Sequence, residues 1–229
     1  MCLKFLKSSV GRKYLMAVTG VFLLGFVVAH MLGNLQIFLG PEALNSYAEH
    51  LQNLPALLWP ARAVLLGAFI LHVGVSISLA IENRRARSIP YACGATVEAS
   101  YASRTMVMSG LIILAFLIYH LLNFTFGVTH PRFFHLVDAK GRHDVYSMVI
   151  LSFRELPVSG AYVAAMGLLC LHLSHGISGL FQSLGLAGAM PALKRAGAVI
   201  ALVIFAGNSS IPLAVWLGWL KAVGGGSVE

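Results

Sequence analysis

The stretch 161–186, AYVAAMGLLCLHLSHGISGLFQSLGL, is an apolar run long enough to cross a bilayer, and it carries two histidines, His172 and His175, near its centre. About 20 apolar residues at 1.5 Å each span a hydrocarbon layer of roughly 30 Å. An imidazole at that depth needs a partner, because an unpaired polar group in hydrocarbon costs several kcal/mol. The remainder of the chain is therefore read for what supplies those partners.

The composition places the chain in lipid. Of its 229 residues 58% are hydrophobic and 10% charged, and the mean hydropathy is +0.82, outside the range of ordinary soluble domains. The net charge of +8 does not indicate nucleic-acid binding, because the basic residues stand in short clusters at the ends of apolar runs, as a topology signal does. The first apolar run is too long for a cleavable signal peptide, and no small-residue cleavage site follows it. Cys2, Cys93 and Cys170 are odd in number and far apart. They argue against a disulfide framework, and no CxxCH motif offers covalent haem attachment.

Four further runs resemble the first in length. The expected spans cover about 14–39, 61–82, 104–126, 158–186 and 196–220, in one transmembrane domain, 1–229. Lys4, Lys7, Arg12 and Lys13 precede the first span on a short amphipathic lead-in. The segment 41–60, PEALNSYAEHLQNLPALLWP, is a polar connection with room for an interfacial helix. The longest polar connection is 127–157. A turn around Gly188, Pro191, Lys194 and Arg195 precedes the last span, which Asn208, Ser209, Ser210 and Pro212 interrupt. With the N-terminus in the cytoplasm, the inner side collects Lys4, Lys7, Arg12, Lys13, Arg84, Arg85, Arg87, Arg104, Lys194 and Arg195 against only Glu82 and Glu98, while charges balance outside. The bias of Lys and Arg in short loops sets that orientation.

Orientation fixes depth. His30 and His120 each lie 16 residues beyond the inner start of their spans, at Tyr14 and Arg104, so each sits about 24 Å from that surface. His72 lies 10 residues before Glu82 and His172 about 11 before Ser183, which puts both about 15 Å deep. Two histidines facing each other at one level have the geometry of bis-imidazole ligation of a porphyrin iron, and two levels imply two haems. The plain alternative for a single intramembrane histidine is an interhelical hydrogen bond. One histidine on each of four spans, at two matched depths and none on the fifth, points to ligation. His175, at i+3 from His172, faces broadly the same way. Geometry permits either, and His172 is slightly better matched in depth. Gly25, Gly33, Gly67, Gly74, Gly167, Gly176 and Gly179 fit helices held apart for flat macrocycles or, equally, ordinary close packing. His50, His130, His135 and His143 read as solvated loop residues, with proton handling as the sharper alternative.

At these residues the chain resembles the dihaem cytochrome b subunit of succinate dehydrogenase and fumarate reductase, the single-chain, five-helix class. The resemblance rests on GRKYLMAVTGVFLLGFVVAHMLGNLQIF around His30, HVGVSISLAIENRRARSIPY from His72, ASRTMVMSGLIILAFLIYHLLNFT up to His120, DVYSMVILSFRELPVSGAYV before the fourth span, and HLSHGISGLFQSLG from His172. It implies an all-α integral membrane protein whose first four spans form a bundle around two stacked b haems. In that family the fourth-span ligand stands four residues before a glycine, as His172 does before Gly176. The implied pairs are His30 with His120 for the distal haem iron, and His72 with His172 for the proximal one, His175 being the alternative.

The resemblance also implies the setting. The chain would be a multi-pass anchor in a bacterial inner membrane, passing electrons between a quinone, usually menaquinone, and the iron-sulfur subunit, which binds its cytoplasmic face together with the flavoprotein subunit. A dimer of the whole complex is compatible with it. The sequence has no dinucleotide fingerprint and no cysteine cluster, so it suits only the quinone half-reaction, in either physiological direction. Asn34, Gln36, Glu42, Glu49 and His50 are the quinone-site candidates near the distal level, and Arg154 is placed to pair a haem propionate. Where some relatives carry a glutamate two residues before the fourth-span ligand, used in proton movement, this chain has Cys170, a poor proton carrier in hydrocarbon. The rival class is a transporter or channel with a histidine relay, which predicts a continuous polar line across the membrane. A membrane di-metal oxygenase needs clustered histidine boxes, and the chain offers a single HxxH.

Overall fold

A computed structural model of the chain describes residues 8–86, 101–183, 185 and 190–223. Lys4, Lys7, Arg87, Glu98, Gly188, Glu229, Cys2, Cys93 and the loop around Pro90 and Gly94 lie outside them. Among the described residues there is no strand, only an isolated bridge between Val137 and His143. Five helices are long and apolar enough to cross a membrane: Ser9–Leu35, continued by a 3-10 turn Gln36–Leu39, then Pro55–Ala86, Met106–Phe124, Leu156–Ser183 and Met190–Trp216. They are called the first to fifth long helices. The side from which Ser9 starts is called the near face, and the side reached at Leu39 the far face.

Local chemistry explains the limits of these helices. Ser8 caps the first, its hydroxyl accepting from the Gly11 amide at 3.0 Å. The second begins at Pro55, six residues before the expected start, because a proline is tolerated in the opening turn. Pro60 then removes one early hydrogen bond, and the apolar sequence after it carries the helix on. The last helix likewise begins at Met190 and absorbs the residues expected to turn or break it. Asn208 donates to the Ile204 carbonyl and Ser210 to that of Gly207, so these two of the polar groups expected to interrupt the helix are satisfied within it, while the buried Ser209 hydroxyl has no partner among the described residues.

The connections on the far face are built as a lid. Pro41–Gln52 forms the expected short helix, with Pro41 at its first position. A second helix, Val145–Arg154, stands where a polar connection was expected. It is apolar but far too short to span, and it buries Tyr146, Ile150 and Phe153 against Ile37, Leu44, Tyr162 and Ile211. Pro157 has no amide hydrogen to extend it, and the freed Phe153 carbonyl accepts instead from Ser159 Oγ and Trp216 Nε1. The main core therefore lies at the far face. Within the membrane the helices cover one another sparsely, only 6% of the second span's most apolar window being buried against 39% of the fifth's. Much of the surface of the first four spans is thus left for other apolar material.

The lid is fastened by charge. Asn45, 1% exposed, donates to Asp144 at 3.0 Å and accepts from the Tyr146 amide at 2.9 Å. Asp144 also caps the helix by accepting from the Ser147 amide. Arg142 reaches from the same loop to Asp138 at 2.7 Å and to Glu42 at 2.8 Å. These bonds hold both carboxyls at about 2, well below the usual range: Arg142, Lys140 and Ser46 act on Glu42, and chiefly Arg142 on Asp138. Carboxyls depressed in the folded state add stability above their unfolded pKa, near 4, and lose it as pH falls toward about 2. Hydrogen-exchange protection factors over 41–52 and 137–144, taken relative to the unfolded rate at each pH, should therefore hold down to about pH 4 and fall below it. Arg142→Gln should remove that acid step. In parallel, Asn45→Ala, which strips two buried partners, should cost about 2–4 kcal/mol in unfolding measurements.

Candidate functional site

The first and second long helices pack side by side, as do the third and fourth. In the first pair, His72 Nδ1 lies 3.2 Å from Thr19 Oγ1. The Thr19 hydroxyl hydrogen is engaged by its own helix, with the Leu15 and Met16 carbonyls at 2.8 and 3.1 Å. The oxygen is left as an acceptor, so the proton between the two residues belongs to His72 Nδ1, and Nε2 keeps a free lone pair. In the second pair the arrangement repeats. His172 Nδ1 lies 3.2 Å from Ser109 Oγ, which donates to the Met106 carbonyl at 3.1 Å. Two imidazoles are thus each held with Nε2 bare, the state in which histidine binds a metal.

A glycine follows each hydroxyl residue beneath the ring; at 110 an added Cβ would crowd the imidazole, whereas at 20 it would meet it at ordinary contact distance. A Cβ added at Gly20 would stand 3.5 Å from His72 Cε1, and one at Gly110 would stand 3.3 Å from His172 Cε1. His175 has no such seat, and its ring makes no hydrogen bond among the described residues, so of the two fourth-span histidines the structure builds a partner only for His172. Sequence reading missed Thr19 and Ser109, though a signal was present. Met16, Thr19, Gly20 and His30 recur with a constant offset as Met106, Ser109, Gly110 and His120. Comparing the chain with itself finds this pattern.

Toward the far face, His30 and His120 meet with ring centroids 5.8 Å apart and planes at 87°. Metal–nitrogen bonds of about 2 Å on opposite sides of one ion would set imidazole centres on the order of 6 Å apart. His30 stacks on Phe26 at 5.4 Å and makes no hydrogen bond among the described residues. His120 Nδ1 lies 3.2 Å from the Tyr162 hydroxyl, within a cluster of Phe116, Phe124 and Tyr162 rings. Although His30 lies within the span, it is exposed in the isolated chain. Gly25, Gly67, Gly74, Gly176 and Gly179 each border space in which an added Cβ would meet nothing within 4 Å. Gly33 and Gly167 differ, since they border Tyr47 and Phe205. Paired imidazole donors beside open apolar space suit a flat iron macrocycle. Among the described residues no three His, Cys, Asp or Glu side chains converge in a metal-binding group, while His30 and His120 have their rings in contact.

The quinone-site candidates fare unequally. Glu42 is engaged by Lys140 and Arg142, and Glu49 lies 3.8 Å from Arg142, so both belong to the lid's ion pairs. His50 and Arg154 are exposed on the far face, while Asn34 and Gln36 are half-buried there. None of these six is in ring contact with or hydrogen-bonded to His30 or His120. Cys170 is half-buried beside His172 in sequence and makes no disulfide.

No family model, curated protein or solved structure matches the chain. The geometry alone yields a direct test. Thr19→Val keeps the side chain's shape and removes the acceptor. Nitrogen NMR of the His72 ring should then show the Nδ1-protonated tautomer giving way to a mixture, while His172 stays unchanged. Ser109→Ala should do the converse.

Proposed function

We propose that this chain is the membrane-anchor cytochrome b subunit of a succinate:quinone oxidoreductase or quinol:fumarate reductase. His30 and His120 would hold one b haem and His72 and His172 a second. The observation that carries the reading is the pair of hydroxyl-locked imidazoles, Thr19–His72 and Ser109–His172, with a second imidazole pair, His30–His120, farther along the same helices. Lone intramembrane histidines that merely join helices do not require the free lone pair to be Nε2 in both cases.

Each residue type has a definite task. The four imidazoles bind through Nε2. Thr19 and Ser109 fix the tautomer and ring orientation, and by accepting from Nδ1 they raise the basicity of the ligand, as carbonyl and carboxylate partners do at other metal sites. The apolar flanks exclude water. Haem held there supplies one-electron exchange, which no side chain at these positions provides. The near face, with Lys13, Arg84, Arg85, Arg104, Lys194 and Arg195, is the cytoplasmic side in this reading and the docking surface for the iron-sulfur and flavoprotein subunits. The far face then takes the quinone, of the menaquinone type in the family it resembles, and the membrane is the bacterial cytoplasmic one.

The test is a reduced-minus-oxidised optical spectrum of the purified, folded chain with pyridine-haemochrome quantification. Two b-type haems per chain are expected. His30→Ala or His120→Ala should remove one, and His72→Ala or His172→Ala the other, whereas His175→Ala should keep both. Folded protein without haem would overturn the reading and leave the histidine-relay transporter in its place.

A further inference from the structure

The hydrogen bond on His120 does not end at Tyr162. The Tyr162 hydroxyl also accepts from Asn123 Nδ2 at 3.5 Å. The opposite end of that amide, Asn123 Oδ1, lies 2.9 Å from His130 Nδ1 and accepts from Thr129 Oγ1 at 2.9 Å. His130 Nε2 lies 2.9 Å from Glu155 Oε2, and the other Glu155 oxygen accepts from Arg132 at 2.6 Å. Glu155, His130, Asn123, Tyr162 and His120 therefore form one unbroken chain of polar contacts.

The chain runs from water into the membrane. The Glu155 and His130 side chains are 32% and 17% exposed, while Asn123 and Tyr162 are 2% and 7% exposed. Its middle is closed and its far-face end open. The backbone is shaped to make it. Gly127, at φ +66°, turns the chain sharply after the third helix, so that the Val128 amide returns to the Leu122 carbonyl at 2.8 Å. This folds Thr129 and His130 back onto Asn123. A left-handed glycine just past a helix end is the usual means of such a reversal.

Both His130 nitrogens face oxygen acceptors, a carbonyl and a carboxylate. The full set of bonds exists only with a proton on each nitrogen. Partial burial works against charge on Glu155, but the hydrogen bonds from Arg132 and His130 outweigh it and hold its carboxyl below the usual range. The other titratable or charged groups facing the pair are Arg132 and, on the third helix, Tyr119. Phe133, stacked on His130 at 5.9 Å, carries no proton to exchange.

We infer that the His130–Glu155 pair is a proton site linked through Asn123 and Tyr162 to the Nδ1 side of His120, so that one proton taken from far-face water accompanies one electron delivered to the His30–His120 site. The inference rests on the haem reading above. The electron comes from the quinol or, in the test, from a chemical reductant. On oxidation the electron and the proton both leave. The sign follows from charge: in a low-dielectric interior a proton at the pair favours the reduced state, and an added electron favours the proton. Asn123 and Tyr162 are positioning residues that carry this coupling and need not titrate.

The test is an equilibrium redox titration of the haem-loaded chain from about pH 5 to about pH 9, spanning the range in which histidine titrates, followed separately at the two haems. At fixed poise, the reduced-to-oxidised ratio at the His30–His120 haem should fall as pH rises, approaching about tenfold per pH unit for one proton per electron. H130Q, which keeps a polar side chain without the imidazole, and N123L, which cuts the chain in the middle, should each flatten that dependence. The His72–His172 haem in the same molecules should be unaffected, which also certifies that the variants fold. A pH-independent wild-type ratio, or an unchanged slope in both variants, would overturn the linkage while leaving the haem reading intact. Absence of haem would overturn both.

Discussion

An imidazole in hydrocarbon must satisfy two nitrogens, and a threonine or serine bonded back to its own helix can accept from one of them only. That asymmetry governs this molecule. Because the Thr19 and Ser109 hydroxyl hydrogens are engaged by carbonyls of their own turn, the proton on each neighbouring histidine is forced to Nδ1 and the second nitrogen is left bare. The side-by-side packing of first with second helix and third with fourth brings hydroxyl and imidazole together. On the His172 side Gly110 leaves the room that a Cβ would crowd. Helix pairing and the chemical state of His72 and His172 are thus set by the same contacts.

The two ends of the structure solve different physical problems. Toward the near face, the helices are apolar, loosely covered and joined by a few specific polar contacts. At the far face a lid of short helices is fastened by buried hydrogen bonds and ion pairs, with Asn45 and Arg142 each joining the 41–52 helix to the loop beyond Pro131–Phe134. The lid backs the aromatic surround of His120 from behind, since its Phe153 packs against Phe124 and Tyr162, two of the rings that touch His120. It also makes the loop after the third helix a constructed element and not a mere connection.

Much of this was legible in the sequence, because a bilayer imposes length and hydropathy so strictly that five spans stand out without any pattern finer than composition. The depth argument linked His30 with His120, and the structure puts their rings in contact. Other features were hidden for identifiable reasons. The Val145–Arg154 helix was obscured because ten residues cannot declare a helix against the charged segments on either side, and its burial depends on Ile37 and Ile211 from distant parts of the chain. Residues 55–60 read as part of a polar connection because the sequence does not reveal that Pro55 opens the helix and that the helix carries on through Pro60. Asn208, Ser209 and Ser210 read as an interruption because the return bonds from Asn208 and Ser210 to their own helix are invisible until the helix exists. Tyr162 and Asn123 carry no motif, and only the fold brings them to His120.

The distribution of contacts among the helices bears on biogenesis. Thr19–His72 lies wholly within the first hairpin of long helices and Ser109–His172 within the second, whereas His30 and His120 belong to different hairpins. A ribosome that delivers the chain from its N-terminus completes the Thr19–His72 contact before the third helix has been made. The His30–His120 pair needs the third helix as well, and Ser109–His172 needs the fourth, which is made after it. Synthesis from the N-terminus therefore makes these contacts available in the order Thr19–His72, His30–His120, Ser109–His172, with the Val145–Arg154 helix made between the last two.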